Sequence, residues 1–319
     1  MGITFDEAPE LDDVLDRLED EDAEVRCVAV MDLREIDGED AIPLLKKVLS
    51  DSDVDVRIEA AQVMDEFTGE DVAEALVNAL SDTDEGVRNA AAETLAENKN
   101  EQAGEVLIKG TTSDDSFVKA ACLRAVKILR LPEAQNIGLD CLKHEDPSVR
   151  REAVGVLAYL KTDDVLLALM DAARNDKDEH VRRVAMGSLV FSKTDKALET
   201  LISGLSDEHW QVREESAFVI GKVDQAAAVE ALIDAMNDEY WQVRVKAAAS
   251  LGKLKDPRAV TVLGQALSYN ISNLRKESAA ALGEIKSPDA IPFLNAALND
   301  VDPDVRKVAQ WAIDQINNK

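Results

Sequence analysis

The chain has 319 residues, with 64 Asp and Glu against 36 Lys and Arg, for a net charge of −28. An apolar share of 46% excludes wholesale disorder, and with aromatics at 4% the core must come from Ala, Leu, Val and Ile. Such a surplus of negative charge repels phosphate backbones and anionic lipid, so neither nucleic acid nor a membrane surface is expected as a partner.

The N-terminus, Met1-Gly2-Ile3-Thr4-Phe5-Asp6-Glu7, lacks the basic and apolar regions of a signal peptide, and no apolar run approaches the ~18–20 residues of a membrane span. From there on, one landmark recurs: a basic residue at Arg26, Arg57, Arg88, Lys119, Arg150, Arg182, Arg213, Arg244, Arg275 and Arg306. Every interval is 31 residues except the 32 between Arg150 and Arg182, and Val precedes each landmark except the ninth, where Leu274 stands. Chance does not give that series. The chain reads as ten tandem repeats in one continuous array, expected as a single domain, at about 8–37, 38–68, 69–99, 100–130, 131–161, 162–193, 194–224, 225–255, 256–286 and 287–319.

Each repeat reads as two helices. In the seventh, Ala197, Leu198, Leu201, Ile202 and Leu205 keep helical spacing up to a polar Ser206-Asp207-Glu208 turn, and Val212, Ala217, Val219, Ile220 and Val223 resume it. Asp22, Asp53, Asp84, Asp115, Asp146, Asp178 and Asp302 fall where a second helix needs an N-cap acceptor, while Asp256-Pro257 and Ser287-Pro288 start first helices. Pro43 and Pro292, each fourteen residues before a landmark, fall inside first helices and are expected to bend them. Six residues before their landmarks stand Asp51, Asp82, Asp176, Asp207 and Asp238, so the landmark arginines are expected to pair with carboxylates of adjoining turns as a ladder.

The run from Trp241-Gln242-Val243-Arg244 through Ala247, Ala248, Leu251 and Gly252 resembles the HEAT-like repeat of the phycobilisome-lyase type, and the period is similar to that of short bacterial and archaeal HEAT arrays and designed alpha-repeat proteins. The seventh to ninth repeats keep the pattern's glycine (Gly221, Gly252, Gly283), where earlier ones carry Arg34, Asp65, Ala96, Lys127 and Ala158. The resemblance implies an all-α, right-handed α-solenoid, a superhelix of ten HEAT-like hairpins. It also implies that second helices line a concave binding face.

On that face the first three repeats present Cys27, Val28, Met31, Ile58, Glu59, Gln62 and Glu93, apolar and then acidic. The middle repeats present Arg124, Arg151 and Arg183, with Lys127 a turn away, Gly155 and Gly187 making room, and Tyr159 and Phe191 beside them. Such a cationic stretch suits a carboxylate-rich peptide or a small anion, and it equally suits arginines that balance neighbours such as Glu152. Trp210, Trp241, Phe218 and Trp311 form an aromatic set suited either to partner contact or to sealing adjacent layers.

Chemistry-bearing residues are sparse. His144, His180 and His209 are the only histidines, and Cys27, Cys122 and Cys141 are odd in number and widely spaced, which fits a reducing cytoplasm. No Cys-x-x-Cys, His-x-x-x-His or phosphate-cradling glycine loop occurs, and the several His-Glu pairs of the HEAT-type di-iron hydroxylase are lacking. The expectation is a cytoplasmic, non-enzymatic scaffold, adaptor or assembly factor that binds another protein, with an acidic or extended segment as one suitable form of partner, without catalytic residues, metal or cofactor; a monomer suffices. The resemblance supplies the alternative, an accessory subunit for cofactor attachment or maturation. Bilin lyase-type subunits and an iron–sulfur-scaffold-interacting HEAT protein are the relatives concerned, with bilin or cluster handled only through a partner.

Overall fold

A computed structural model of the chain describes residues 10–97, 99–160, 162–192, 194–223 and 226–318. Regular structure among the described residues is helical throughout, in two compact units, Met1–Leu160 and Lys161–Lys319. Each unit holds five helical pairs, and the boundary between them coincides with the one irregular interval in the repeat. The first unit contains α1 (Leu11–Leu18), α2 (Ala23–Asp32), α3 (Gly38–Val48), α4 (Val54–Val63), α5 (Glu70–Ala79), α6 (Glu85–Glu97), α7 (Gly104–Gly110), α8 (Ser116–Leu129), α9 (Ala134–Cys141) and α10 (Pro147–Leu157). The second contains α11 (Asp163–Asn175), α12 (Glu179–Ser188), α13 (Asp195–Gly204), α14 (Trp210–Val223), α15 (Val229–Ala235), α16 (Trp241–Leu254), α17 (Val260–Ala266), α18 (Ser272–Ile285), α19 (Ile291–Ala297) and α20 (Pro303–Asn317). The chain is an all-α solenoid of helical hairpins.

Within each unit every odd-numbered helix packs on the even-numbered helix that follows, and the even-numbered helices stack on one another more closely than the odd ones do. No hairpin covers its own apolar stripe, so neighbours complete the core and stability sums along the stack. Small residues set the spacing in the second unit. A Cβ on Gly252 would lie 2.8 Å from the Ala281 backbone, and one on Gly283 would lie 2.9 Å from that of Ala312. These glycines let α16, α18 and α20 touch nearly backbone to backbone.

The caps follow the sequence. Asp22, Asp53, Asp84, Asp115, Asp146, Asp178 and Asp302 each accept a backbone N–H from the first turn of a second helix. Asp256 and Ser287 likewise cap, but the turns they start, Pro257–Ala259 and Pro288–Ala290, are 3₁₀ and hand over to α17 and α19. That corrects the reading of Pro292, which stands at the second residue of α19, where a missing N–H breaks no hydrogen bond and no bend is required. Pro43 does lie inside its helix, α3.

The landmark arginines form the ladder. Arg26 donates Nε and a terminal nitrogen to Asp51 at 2.9 and 2.8 Å, and Arg57 does the same to Asp82 at 2.8 and 3.0 Å. In the second unit Arg182 grips Asp207 at 2.8 and 2.9 Å, and Arg213 grips Asp238 at 2.6 and 3.0 Å. Arg275–Asp300, at 2.7 and 2.8 Å, is a further rung that the same six-residue rule identifies. In each rung the remaining terminal nitrogen donates to the carbonyl six residues back, as Arg57 does to Asp51, so one guanidinium ties together two turns. The Arg57 guanidinium holds the Asp82 carboxyl below the usual carboxylate range, and Arg275 does so at Asp300. The rung is missing where the acid is: 25 residues after Arg88 stands Ser113, and 25 after Arg244 stands Tyr269, whose ring lies 4.9 Å beneath the guanidinium.

Candidate functional site

The even-numbered helices carry two clusters of cationic and aromatic side chains, one in each unit. In the first unit, Arg124 and Lys127 sit three residues apart on α8 and so share a face, and Arg151 and Glu152 open the second turn of α10. Glu152 is buried and accepts from Lys127 at 3.1 Å and Arg124 at 3.4 Å, with Arg151 at 3.7 Å. Gly155 makes this possible: a Cβ there would lie 2.7 Å from the Lys127 chain, which crosses bare backbone to reach the acid. Three cations thus surround one carboxylate, and Arg124 and Arg151 keep part of their guanidinium surface in solvent.

Beside them is a cleft of about 230 Å³ with a floor of Ala120 and Ala121 and walls of Phe117, Arg124 and Arg151. Arg88, without a rung, places its guanidinium 5.9 Å from the Phe117 ring. Tyr159 stands at the end of the same unit with the Arg130 guanidinium 4.3 Å from its ring. Phe117 and Arg130 were not singled out by the sequence; Phe117 is two residues before Lys119, a register position that marks it as outward-facing. A larger depression of about 540 Å³ lies between α3 and α5, where Lys46 is already paired with Asp71 and Glu74 at 3.0 and 3.1 Å.

The other expected site residues belong to the second unit. Arg183 is exposed on α12 and favours the charged form of Glu215, whose carboxyl burial pushes above its ordinary range. Phe191 ends the 3₁₀ turn after α12 and is exposed. Trp210, the first residue of α14, stacks on Tyr240 with ring centres 5.5 Å apart and planes 13° off parallel, so it bridges two layers. Trp241 opens α16 and stays partly exposed. Trp311 of α20 packs on Gly283 while showing its outer edge.

Phe218, exposed on α14, carries the feature that the sequence did not single out. Lys222 of α14 and Lys246 and Lys253 of α16 place their ammonium groups 5.3, 5.4 and 5.7 Å from its ring centre. Burial, and then the neighbouring Lys222 and Lys246, push the Lys253 ammonium below its ordinary range, against the pull of Glu277. The signal was present in the sequence: these lysines stand two or nine residues after their landmarks, both outward positions of the repeat.

Residues suited to bond chemistry lie elsewhere. Cys122 is fully buried and its thiol is pushed up to about 12 by burial; Cys141 is also buried and pushed up. Cys27, half-buried, is pushed up by burial and by Glu59. His180 and His209 lie beside Glu179 and Glu208, their own chain neighbours, at 3.6 and 3.5 Å. Among the described residues no group of three or more His, Cys, Asp or Glu side chains is disposed to hold a metal ion, and no helix is long and apolar enough to cross a membrane.

The family profile described as HEAT repeats matches residues 11–96, 55–127, 139–221, 198–270 and 229–314. No curated protein matches the chain. Among solved structures, an engineered protein aligns over 96% of this chain and 98% of its own at 22% identity, TM-score 0.51. The Escherichia coli protein YibA aligns over 94% of this chain and all of its own at 18% identity, TM-score 0.55. Yeast importin-beta, Kap95p, aligns over 96% of this chain at 14% identity, TM-score 0.63, and the chain spans 50% of Kap95p. At these identities the likeness is one of fold.

Proposed function

The chain belongs to the HEAT-repeat family, and we propose that it is a protein-binding scaffold or adaptor, without chemistry of its own, that receives its partner on the even-numbered helices. The observation that carries this reading is the distribution of side chains. In a protein of net charge −28, the even-numbered helices display partly exposed Phe218, Trp241 and Trp311 together with Arg124, Arg151 and Arg183. Large rigid rings beside arginine are the composition of interface hot spots. The stacked hairpins give them a stiff support, which lowers the entropy cost of association. Structural neighbours are consistent with this use of the fold: Kap95p is described with RanGDP and in a complex with Nup1, and Kap121p with the extreme C-terminus of the phosphatase Cdc14p.

Site-specific photo-crosslinking in the cells that make the protein tests the reading. A benzophenone amino acid at Tyr159, Phe191 or Phe218 should capture a discrete protein. The same group at Leu167, exposed on odd-numbered α11, should not. Capture from Leu167 alone would place the partner on the wrong helices and overturn the proposal.

A further inference from the structure

We propose that the second unit receives an acidic, extended segment of a partner protein over Phe218, its carboxylates gathered by Lys222, Lys246 and Lys253. The inference rests on the scaffold reading above and names the partner chemistry for one part of that surface.

Elsewhere on the chain many cations are committed to carboxylates. Five landmark arginines hold aspartates bidentately, Lys46 bridges Asp71 and Glu74, Arg258 holds Asp256 and Glu230, and Arg124 and Lys127 share Glu152. The three lysines around Phe218 stand apart by gathering at one place. Among the described residues none of them has a carboxylate within 4 Å, although acidic side chains outnumber basic ones 64 to 36. They converge instead on one exposed ring. An exposed cation–π contact is weaker than a charge-assisted hydrogen bond to a carboxylate.

Glu215 of α14 faces Lys246 and Arg183, and Glu277 of α18 faces Lys253, neither close enough to pair. Burial first, and then the positive charge of Lys222 and Lys246, lowers the affinity of Lys253 for its proton. A carboxylate entering between the ammonium groups would gain two or three charged hydrogen bonds, and an apolar side chain beside it would cover Phe218.

Charge complementarity selects the occupant. At physiological salt the screening length is about 8 Å, so an approaching chain responds to the lysines within reach and little to the distant acidic surface. A short acidic peptide keeps its charge on the patch. A nucleic-acid strand continues past it over a chain of net charge −28, with Glu277 of α18 already beside Lys253.

The test uses the full chain and a fluorescein-labelled peptide of about a dozen residues, rich in Asp and Glu with one central leucine. Fluorescence anisotropy should show binding that weakens with added salt. Lys246→Glu combined with Lys253→Glu should weaken it at least about tenfold, Phe218→Ala severalfold, and Lys246→Arg with Lys253→Arg little. Circular dichroism and tryptophan fluorescence establish that each variant is folded. Equal affinity for the double Glu variant and the parent chain would overturn the inference, as would tighter binding of an oligothymidylate of equal charge. If the peptide ignores the lysines while crosslinking from Phe191 or Phe218 persists, the acidic-segment inference falls and the scaffold reading stands. Loss of the crosslinks with retained lysine-dependent peptide binding has the opposite meaning.

Discussion

Removing Asp82 should loosen the first unit by a predictable amount. Asp82 accepts Arg57 at 2.8 and 3.0 Å and the Asp84 N–H at 2.8 Å, and the two side chains are only 11% and 13% exposed. In Asp82→Ala the guanidinium keeps its carbonyl contact with Asp51 but loses its counter-ion in a site nearly closed to water. Breaking a fully buried pair costs about 3–5 kcal/mol; water at the rim reduces that to about 2–3 kcal/mol here. The converse change builds a rung. Ser113 stands where the ladder needs an acid, and its hydroxyl already accepts the Asp115 N–H at 3.2 Å, as the ladder aspartates accept theirs. Ser113→Asp should therefore pair with Arg88 and add about 1 kcal/mol. The chain supplies its own reporters: Trp210, Trp241 and Trp311 all lie in the second unit, so their fluorescence follows that unit while far-ultraviolet circular dichroism follows both. In urea, Asp82→Ala should lower the midpoint of the dichroism transition by far more than that of fluorescence. A change of under about 0.5 kcal/mol for Asp82→Ala, or destabilisation by Ser113→Asp, would refute the ladder as a source of stability.

Other outcomes follow from the same geometry. Asp82 and Asp300 titrate lower in the folded chain than the ~3.9 of a free Asp, so each adds stability above about pH 4 that is lost as pH falls through the folded value. Urea midpoints should drop as pH falls below about 4, and Asp82→Asn, already weaker at pH 7, should lose less over that fall. With the Cys122 thiol pushed up to about 12 and out of solvent, an aromatic disulfide reagent at neutral pH should modify the native protein at Cys27 first and slowly, and all three thiols at once in urea; prompt native labelling of Cys122 would contradict its burial. Lys286 ends α18 in the left-handed region at φ 56°, which costs a side chain about 1–2 kcal/mol. Lys286→Gly should thus raise stability by about 0.5–1 kcal/mol after glycine's own entropy, read as a higher melting temperature.

The fold was legible because its determinants are local and repeated. A valine and a basic residue at a near-constant 31-residue interval fix helix register and turn, and where an aspartate stands six before the landmark it marks a rung. Departures came where the determinant is not local. Pro292 could not be placed without knowing that the tenth repeat begins its first helix with a 3₁₀ turn, whereas Pro43 has five residues of α-helix ahead of it. The site was legible in part. Arg124 and Arg151 were identifiable as outward cations, but their shared grip on Glu152 depends on Lys127 crossing Gly155, a three-helix-turn coincidence that no spacing rule contains. Trp210 shows the same limit, since its stack on Tyr240 joins residues 30 apart through the closeness of two layers. The lysines around Phe218 are legible from register alone, because each stands two or nine residues after its landmark.

Hydrogen–deuterium exchange of the protein with and without its crosslinked partner tests the central claim most directly. Binding on the even-numbered helices predicts slowed exchange in peptides from α8, α10, α14 and α16, with the odd-numbered helices of the same repeats unchanged. Protection confined to α7, α9, α13 and α15 would contradict it.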